Sequence, residues 1–162
     1  MLNMTFIFLG GYLTSTHFWF IVITRKTRQG ESYMKNIFLD PAYTQFIDGF
    51  KGATMFSLEN LDNNLEVDPI FHSTTLKVLE AYCTIFYFEN IFDLQKVLES
   101  NSIDWFQAGM DFYFTQAGDS VGFWDGDYDI DGDDTIANRL TENTKKLKTL
   151  EFYVGDDGFI YV

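Results

Sequence analysis

Aspartates alternate along the segment WDGDYDIDGDD with the spacing of a calcium-binding loop. Asp127, Asp129 and Asp131 would supply carboxylates from positions 1, 3 and 5 of such a loop, and Asp133 would supply a backbone carbonyl from position 7. Gly132 falls at position 6, where the chain has to turn sharply. The predicted metal ligands are therefore Asp127, Asp129, Asp131 and Asp133, and the ion that suits them is Ca²⁺.

The second half of this loop departs from the calcium pattern. Position 8 is Asp134 instead of an apolar residue, and position 12 is Asn138 instead of a glutamate that binds through both oxygens. The alternative is an acidic turn that leads into a helix, with Asp133 or Asp134 accepting hydrogen bonds from the free backbone N–H groups at the helix start. Both interpretations stay open, and we favour the acidic turn.

Four further carboxylates could support a metal-assisted reaction. Paired carboxylates hold Mg²⁺ in phosphoryl transfer, and Asp111, Asp125, Asp156 and Asp157 are the candidates. However, Asp-Asp-Gly at 156–158 is also typical of a tight turn. The chain has no phosphate-binding loop, zinc-ligand spacing or Ser-His-Asp order, and it has only 2 histidines. We therefore predict a non-enzymatic protein without a cofactor, unless the aspartate loop binds Ca²⁺.

The net charge limits the classes of molecule that the protein can bind, and the cysteine content indicates the redox state of its compartment. The formal net charge is −13, which argues against direct nucleic-acid binding because a phosphate backbone requires Lys and Arg side chains. The same charge favours a protein partner with a basic surface. Cys83 is the only cysteine, so no intramolecular disulfide can form, and its apolar helical surroundings predict a small buried side chain. A reducing compartment fits this composition.

Residues 1–33 differ from the rest of the chain. Residues 6–23, FIFLGGYLTSTHFWFIVI, contain no charged side chain and precede TRKTR, which is typical of a marginal membrane span with a cytoplasmic basic end. The second interpretation is a non-native upstream extension: codons for Gly30-Glu31 can form a purine-rich ribosome-binding site just before Met34. Residues 1–33 carry three basic side chains and one acidic side chain, and this change in charge also places a boundary here.

Patterning after this boundary predicts a single α+β domain over 34–162. Helical spacing of apolar residues covers Tyr43–Leu58, then a helix from a Ser73 cap to Asn90, a short helix after it, and a fourth helix in DTIANRLTENTKKLK. Aromatic runs around QAGDS predict one β-hairpin, and the runs flanking Gly155–Gly158 predict another. The expected fold is a helical N-terminal half packed on a small antiparallel sheet of two hairpins, with one helix inserted.

The C-terminal third, from Ala108 to Tyr161, resembles a family of small uncharacterised proteins encoded by bacteriophages and prophages. The resemblance rests on AGMDFYFT, GFWD, RLT and YVGDDGFIY, which match the pattern AGxDF, GFWD, LT and YVGDDGxIY. Two histidines of that pattern are absent: Met110 replaces the first, and the region Gly118-Asp119-Ser120 replaces the second. The family's glycines suit turns and bulges, and its aromatic residues Phe112, Phe123 and Trp124 suit the buried face of a sheet.

The resemblance implies a phage gene product that works in the cytoplasm of an infected bacterium. Together with the negative charge, it predicts an accessory protein that binds a basic host protein, including one that itself binds nucleic acid. A cation-binding module built on Asp127–Asp133 is the alternative. If residues 6–23 do span a membrane, the protein is instead anchored there, with its C-terminal domain in the cytoplasm.

Overall fold

The computed structural model describes residues 4–13, 16–26, 32–33, 40–61, 70–100, 103–130 and 132–162. The chain divides into two compact units, Met1–Thr44 and Gln45–Val162, and each is described here by itself.

The first unit is built on strands β1 (Met4–Leu13), β2 (Thr16–Lys26) and β3 (Ser32–Tyr33). They pair antiparallel in the order β1-β2-β3. These strands replace the single helix implied by a membrane span over residues 6–23, and their β-branched and aromatic composition suits strands. No helix within the described residues is long and apolar enough to cross a membrane. The leader and the start at Met34 remain predictions.

Four helices contribute to the second unit. Helix α1 (Pro41–Leu61) begins in the first unit, where Asp40 Oδ1 accepts a hydrogen bond from Ala42 N at 3.1 Å, and it continues into the second. Helices α2 (Ser73–Ser100), α3 (Trp105–Ala117) and α4 (Thr135–Lys145) follow, and α4 contacts both α2 and α3. The predicted helices over Tyr43–Leu58 and in DTIANRLTENTKKLK are confirmed.

A three-stranded sheet completes the unit. Strands β4 (Ile70–Phe71), β5 (Tyr153–Val154) and β6 (Phe159–Tyr161) lie in the order β4-β6-β5. β5 and β6 form the predicted antiparallel hairpin, but β4 runs parallel to β6, so the sheet is mixed rather than antiparallel. The α+β class with a helical N-terminal half is confirmed.

The first predicted hairpin is wrong, because its leading aromatic run lies in α3. Asp104 caps the start of this helix by accepting a hydrogen bond from Gln107 N at 2.8 Å. Gly118, with φ +73°, ends it in the left-handed conformation, so QAGDS is a helix C-terminus rather than a turn between strands. The residues from Asp111 to Gln116 are all buried, and a run buried on every side has no periodicity to distinguish helix from strand.

The predicted break at Asn90 is also wrong, since α2 continues to Ser100. Asn90 is buried in the middle of this helix. Its Nδ2 donates to Phe86 O at 2.9 Å, and its Oδ1 accepts from Asn143 Nδ2 at 2.7 Å. The side chain therefore uses its hydrogen-bonding groups without interrupting the helix.

Aromatic rings from three helices and one loop form the core of the second unit. Phe86 and Phe112 stack with their centroids 3.9 Å apart, and Phe46 and Phe123 stack against this pair. Phe112 and Phe123 are thus buried as predicted, but between helices rather than on a sheet.

Helices α1 and α3 cross with their backbones in contact. A Cβ on Gly109 would lie 1.9 Å from Phe46 O, and a Cβ on Gly49 would lie 1.9 Å from Phe106 O. Gly109 therefore serves a helix crossing and not the predicted turn or bulge. This crossing sets the position of α3, which carries the candidate site.

Candidate functional site

Asp111 lies in the middle of α3 and is buried. Its Oδ1 accepts a hydrogen bond from Gln107 Nε2 at 2.9 Å, and its Oδ2 accepts one from Tyr128 Oη at 2.8 Å. Burial raises the pKa of Asp111 above its ordinary value; the two hydrogen bonds lower it, and the charges of Asp127 and Asp125 raise it again. Both carboxylate oxygens are engaged, so Asp111 acts as an internal anchor for the segment that carries Tyr128.

Tyr128 is the residue that connects this segment to α3. It is fully buried and packs edge-on against Phe123, with centroids 4.8 Å apart. Burial raises the pKa of its phenol well above the ordinary value, and the neighbouring Asp111 carboxylate raises it further. The phenol therefore stays protonated and donates to Asp111. No sequence motif indicated this role for Tyr128.

A second attachment to α3 lies at Thr115. Thr115 Oγ1 accepts a hydrogen bond from Phe123 N at 3.0 Å. Gly122 has φ +153° and no room for a side chain, because a Cβ there would lie 2.5 Å from Thr115 Oγ1. Gly122 N donates to Asp125 Oδ2 at 3.0 Å, which closes the GFWD turn. Gly122 and Phe123 of the GFWD motif therefore hold the loop against the helix.

We call residues 118–134, apart from Asp131, the acidic loop. Trp124 was predicted to be buried, but 42% of it is exposed, with its Nε1 donating to Ser120 O at 3.3 Å. Val121 in the same loop is also exposed. The same loop exposes five carboxylate side chains: Asp119, Asp125, Asp127, Asp133 and Asp134. The acidic loop thus carries both an exposed indole ring and several exposed negative charges.

The predicted calcium ligands occupy different environments. Asp127 is exposed and Asp129 half-buried, whereas Asp131 lies outside the described residues. Asp133 Oδ1 accepts hydrogen bonds from Thr135 N, at 2.9 Å, and from Thr135 Oγ1. These bonds lower the pKa of Asp133, which binds the first backbone N–H of α4 as the acidic-turn interpretation predicted. Asp134, at the N-cap position itself, makes no side-chain capping bond.

No group of three or more His, Cys, Asp or Glu side chains that could hold a metal ion occurs among the residues the structure describes. Of the predicted Mg²⁺ ligands, Asp111 is buried in α3 and Asp125 caps the GFWD turn. Asp156 and Asp157 lie in the turn between β5 and β6. Metal binding by the aspartate loop remains a prediction, since Asp131 is not described.

The two remaining candidate side chains have structural roles. Cys83 is fully buried, and burial raises the pKa of its thiol well above the ordinary value, which opposes reactivity. His72 Nδ1 contacts Thr74 Oγ1 at 2.7 Å, just before the first turn of α2.

Comparison with known proteins yields no match to a protein-family model, to a curated protein or to a solved structure. The resemblance to phage proteins therefore rests on the motif residues alone.

Proposed function

We propose that this chain is a bacteriophage accessory protein that binds a basic host protein through the acidic loop. The observation that carries the proposal is the exposed indole of Trp124, set among exposed carboxylates on a loop that buried hydrogen bonds hold in place.

Trp124 and Val121 supply the apolar part of the surface. Tryptophan is enriched among the residues that contribute most to protein–protein affinity, because it buries a large area at a low cost in side-chain entropy. The bonds from Asp111 and Thr115 to this loop reduce the ordering that binding would require. The surface is therefore pre-organised.

The charges around Trp124 select the partner. Between Val97 and Asn138 the sequence contains no Lys or Arg. Lys96 and Arg139, just outside this stretch, act on Asp133, but the acidic loop keeps an excess of carboxylates over these cations. Such a field accelerates the approach of a basic protein and opposes that of an acidic one. Proteins that bind nucleic acid carry basic surfaces of this kind, which makes a nucleic-acid-binding host protein a fitting target.

Capture from a bacterial lysate tests this proposal. We expect the full chain to retain a basic protein at low salt and to release it at high salt, because exposed charges are screened. Trp124→Ala should lose the partner, whereas Ile85→Ala, which shortens an exposed apolar side chain on α2, should retain it. Failure to retain any basic protein, or equal retention by Trp124→Ala, would contradict the proposal.

Calcium binding by Asp127–Asp133 is the second candidate. It is favoured by Gly132, whose φ of +80° gives the sharp turn that position 6 of a calcium loop requires. Calorimetric titration with Ca²⁺ tests it directly. Heat of binding that Asp129→Ala abolishes would support the site, and no heat at millimolar Ca²⁺ would eliminate it.

A further inference from the structure

The three-stranded sheet has an outer face that is almost wholly apolar. In the register of the sheet, Ile70 pairs with Phe159 and Tyr153 pairs with Tyr161, so these four side chains share one face. The alternate residue of β6, Ile160, is fully buried on the other face. We call the outer face, together with His72 beside it, the aromatic face.

This face is open to solvent in the second unit. Ile70 is 65% exposed, Tyr153 is 56% exposed and Phe159 is 39% exposed. The solvent side of a small sheet ordinarily carries polar residues, and a contiguous exposed apolar patch marks an interaction site. A ligand that covers the aromatic face would therefore gain binding free energy from the apolar surface that it buries.

The rings of the aromatic face support one another. Tyr161 stacks on His72 with centroids 4.9 Å apart and on Tyr153 with centroids 5.8 Å apart. Phe159 meets His72 edge-on at 5.9 Å. Rings held in this way form a platform that loses little entropy when a ligand stacks on it.

Carboxylates border the platform at the β5–β6 turn. Tyr161 Oη donates to Asp157 Oδ2 at 2.7 Å, and Phe159 N donates to Asp157 Oδ1 at 3.2 Å. These bonds lower the pKa of Asp157, so it is ionised at neutral pH. A Cβ on Gly155 would lie 2.8 Å from the ring of Tyr161, so the glycine allows the ring to lie across the turn. Asp156 is exposed beside it.

We propose that the aromatic face binds an arginine side chain of a partner protein. A planar guanidinium can stack on the exposed ring of Tyr153 while its N–H groups reach the carboxylates of Asp156 and Asp157. The aliphatic stem of the arginine then packs on apolar side chains such as Phe159. Charge complementarity identifies the occupant, because residues 149–162 contain three acidic residues and no Lys or Arg.

An arginine site of this kind differs from the acidic loop in both residues and chemistry. It recognises a single planar cation by stacking, whereas the acidic loop presents an indole within a broad negative field. Binding at one of these surfaces can therefore be demonstrated or excluded without deciding whether the other one binds.

Titration of the isotope-labelled full chain, followed by NMR, tests the arginine site. The probes are the peptides acetyl-Gly-Arg-Gly-amide and acetyl-Gly-citrulline-Gly-amide, which share their shape but differ in charge. We expect the arginine peptide to shift the amide signals of Tyr153, Asp157 and Tyr161 saturably and to bind about threefold more tightly than the citrulline peptide. Equal shifts from both peptides would overturn the proposal.

Matched variants locate the binding. Tyr153→Ser should weaken the arginine peptide about threefold, while Tyr153→Phe, which keeps the ring, should bind like the parent. Trp124→Ala should leave this binding unchanged. Shifts confined to the acidic loop would overturn the arginine site while leaving the proposed function intact. A dimer of this chain that Tyr153→Ser dissociates would overturn it too, since a second copy would then cover the face.

Discussion

At the scale of single residues, the hydrogen bond from Tyr128 Oη to Asp111 Oδ2 attaches the acidic loop to α3. The two residues are far apart in the sequence, and both are buried. A buried carboxylate requires donors, and Tyr128 supplies one of the two that Asp111 has through side chains. The phenol hydroxyl of Tyr128 is therefore one of two attachments of the loop to α3, beside the bond from Phe123 N to Thr115 Oγ1.

Replacing Tyr128 with Phe should destabilise the second unit by about 2 kcal/mol, because the buried Asp111 carboxylate loses one of its two side-chain donors. Chemical denaturation measures this change in the free energy of unfolding. Tyr153→Phe removes an exposed hydroxyl and should change stability by less than about 0.5 kcal/mol. A Tyr128→Phe protein as stable as the parent would show that the bond does not hold the loop.

The raised pKa of Asp111 also predicts how the stability of the fold depends on pH. Its pKa is raised in the folded protein, so the folded state binds this proton more readily than the unfolded state. The stability that the group contributes is present below the ordinary aspartate range and is lost as pH rises through the raised pKa. Asp111→Asn should remove this dependence. As pH rises to neutral, the parent should therefore lose free energy of unfolding relative to the variant. A difference that is constant over this range would contradict it.

At the scale of elements, the contact of α1 with α3 is the most restrictive packing in the second unit. Gly109→Ala should destabilise the fold by about 3 kcal/mol or more, because its methyl group would meet Phe46 O and force the helices apart. Gly52→Ala is the matched control, since its Cβ would meet only the tip of the Phe106 ring, at 3.3 Å. Thermal unfolding of both variants measures the contrast. Equal effects would show that the crossing tolerates a side chain.

The elements also show what sequence reasoning could and could not establish. Helix α4 and the β5–β6 hairpin were predictable because an amphipathic period and an Asp-Gly turn are local properties. Helix α3 was not predictable, because its residues from Asp111 to Gln116 are all buried and their sequence resembles that of a strand. Asn90 was taken for a helix end because its partner, Asn143, lies on another helix and is invisible in local sequence.

The candidate site divides in the same way. The cap of α4 by Asp133 followed from local spacing, whereas the pairing of Asp111 with Tyr128 depends on tertiary packing. Trp124 was expected on the buried face of a sheet together with Phe112 and Phe123, but it lies in the GFWD turn with 42% of its surface exposed. Which side chains of a turn are buried depends on the backbone geometry of that turn, and the amino-acid composition does not specify it.

At the scale of the whole molecule, negative charge and exposed aromatic rings recur together. A net charge of −13 opposes the approach of nucleic acids and of other acidic proteins. The exposed rings of Trp124 in the acidic loop and of Tyr153 on the aromatic face are two places where a basic partner can also bury apolar area. Attraction then sets the rate of encounter, and the rings set how long the complex lasts.

The affinity of the captured host protein for the parent chain and for Trp124→Ala tests the central claim most directly. Measured by calorimetry at about 0.05 M and about 0.5 M salt, the parent should bind more weakly at high salt because screening removes the long-range attraction. Trp124→Ala should bind about thirtyfold more weakly than the parent at both concentrations, because it loses a buried aromatic anchor. Equal affinities of the two proteins, or binding that salt does not weaken, would contradict recognition through the acidic loop.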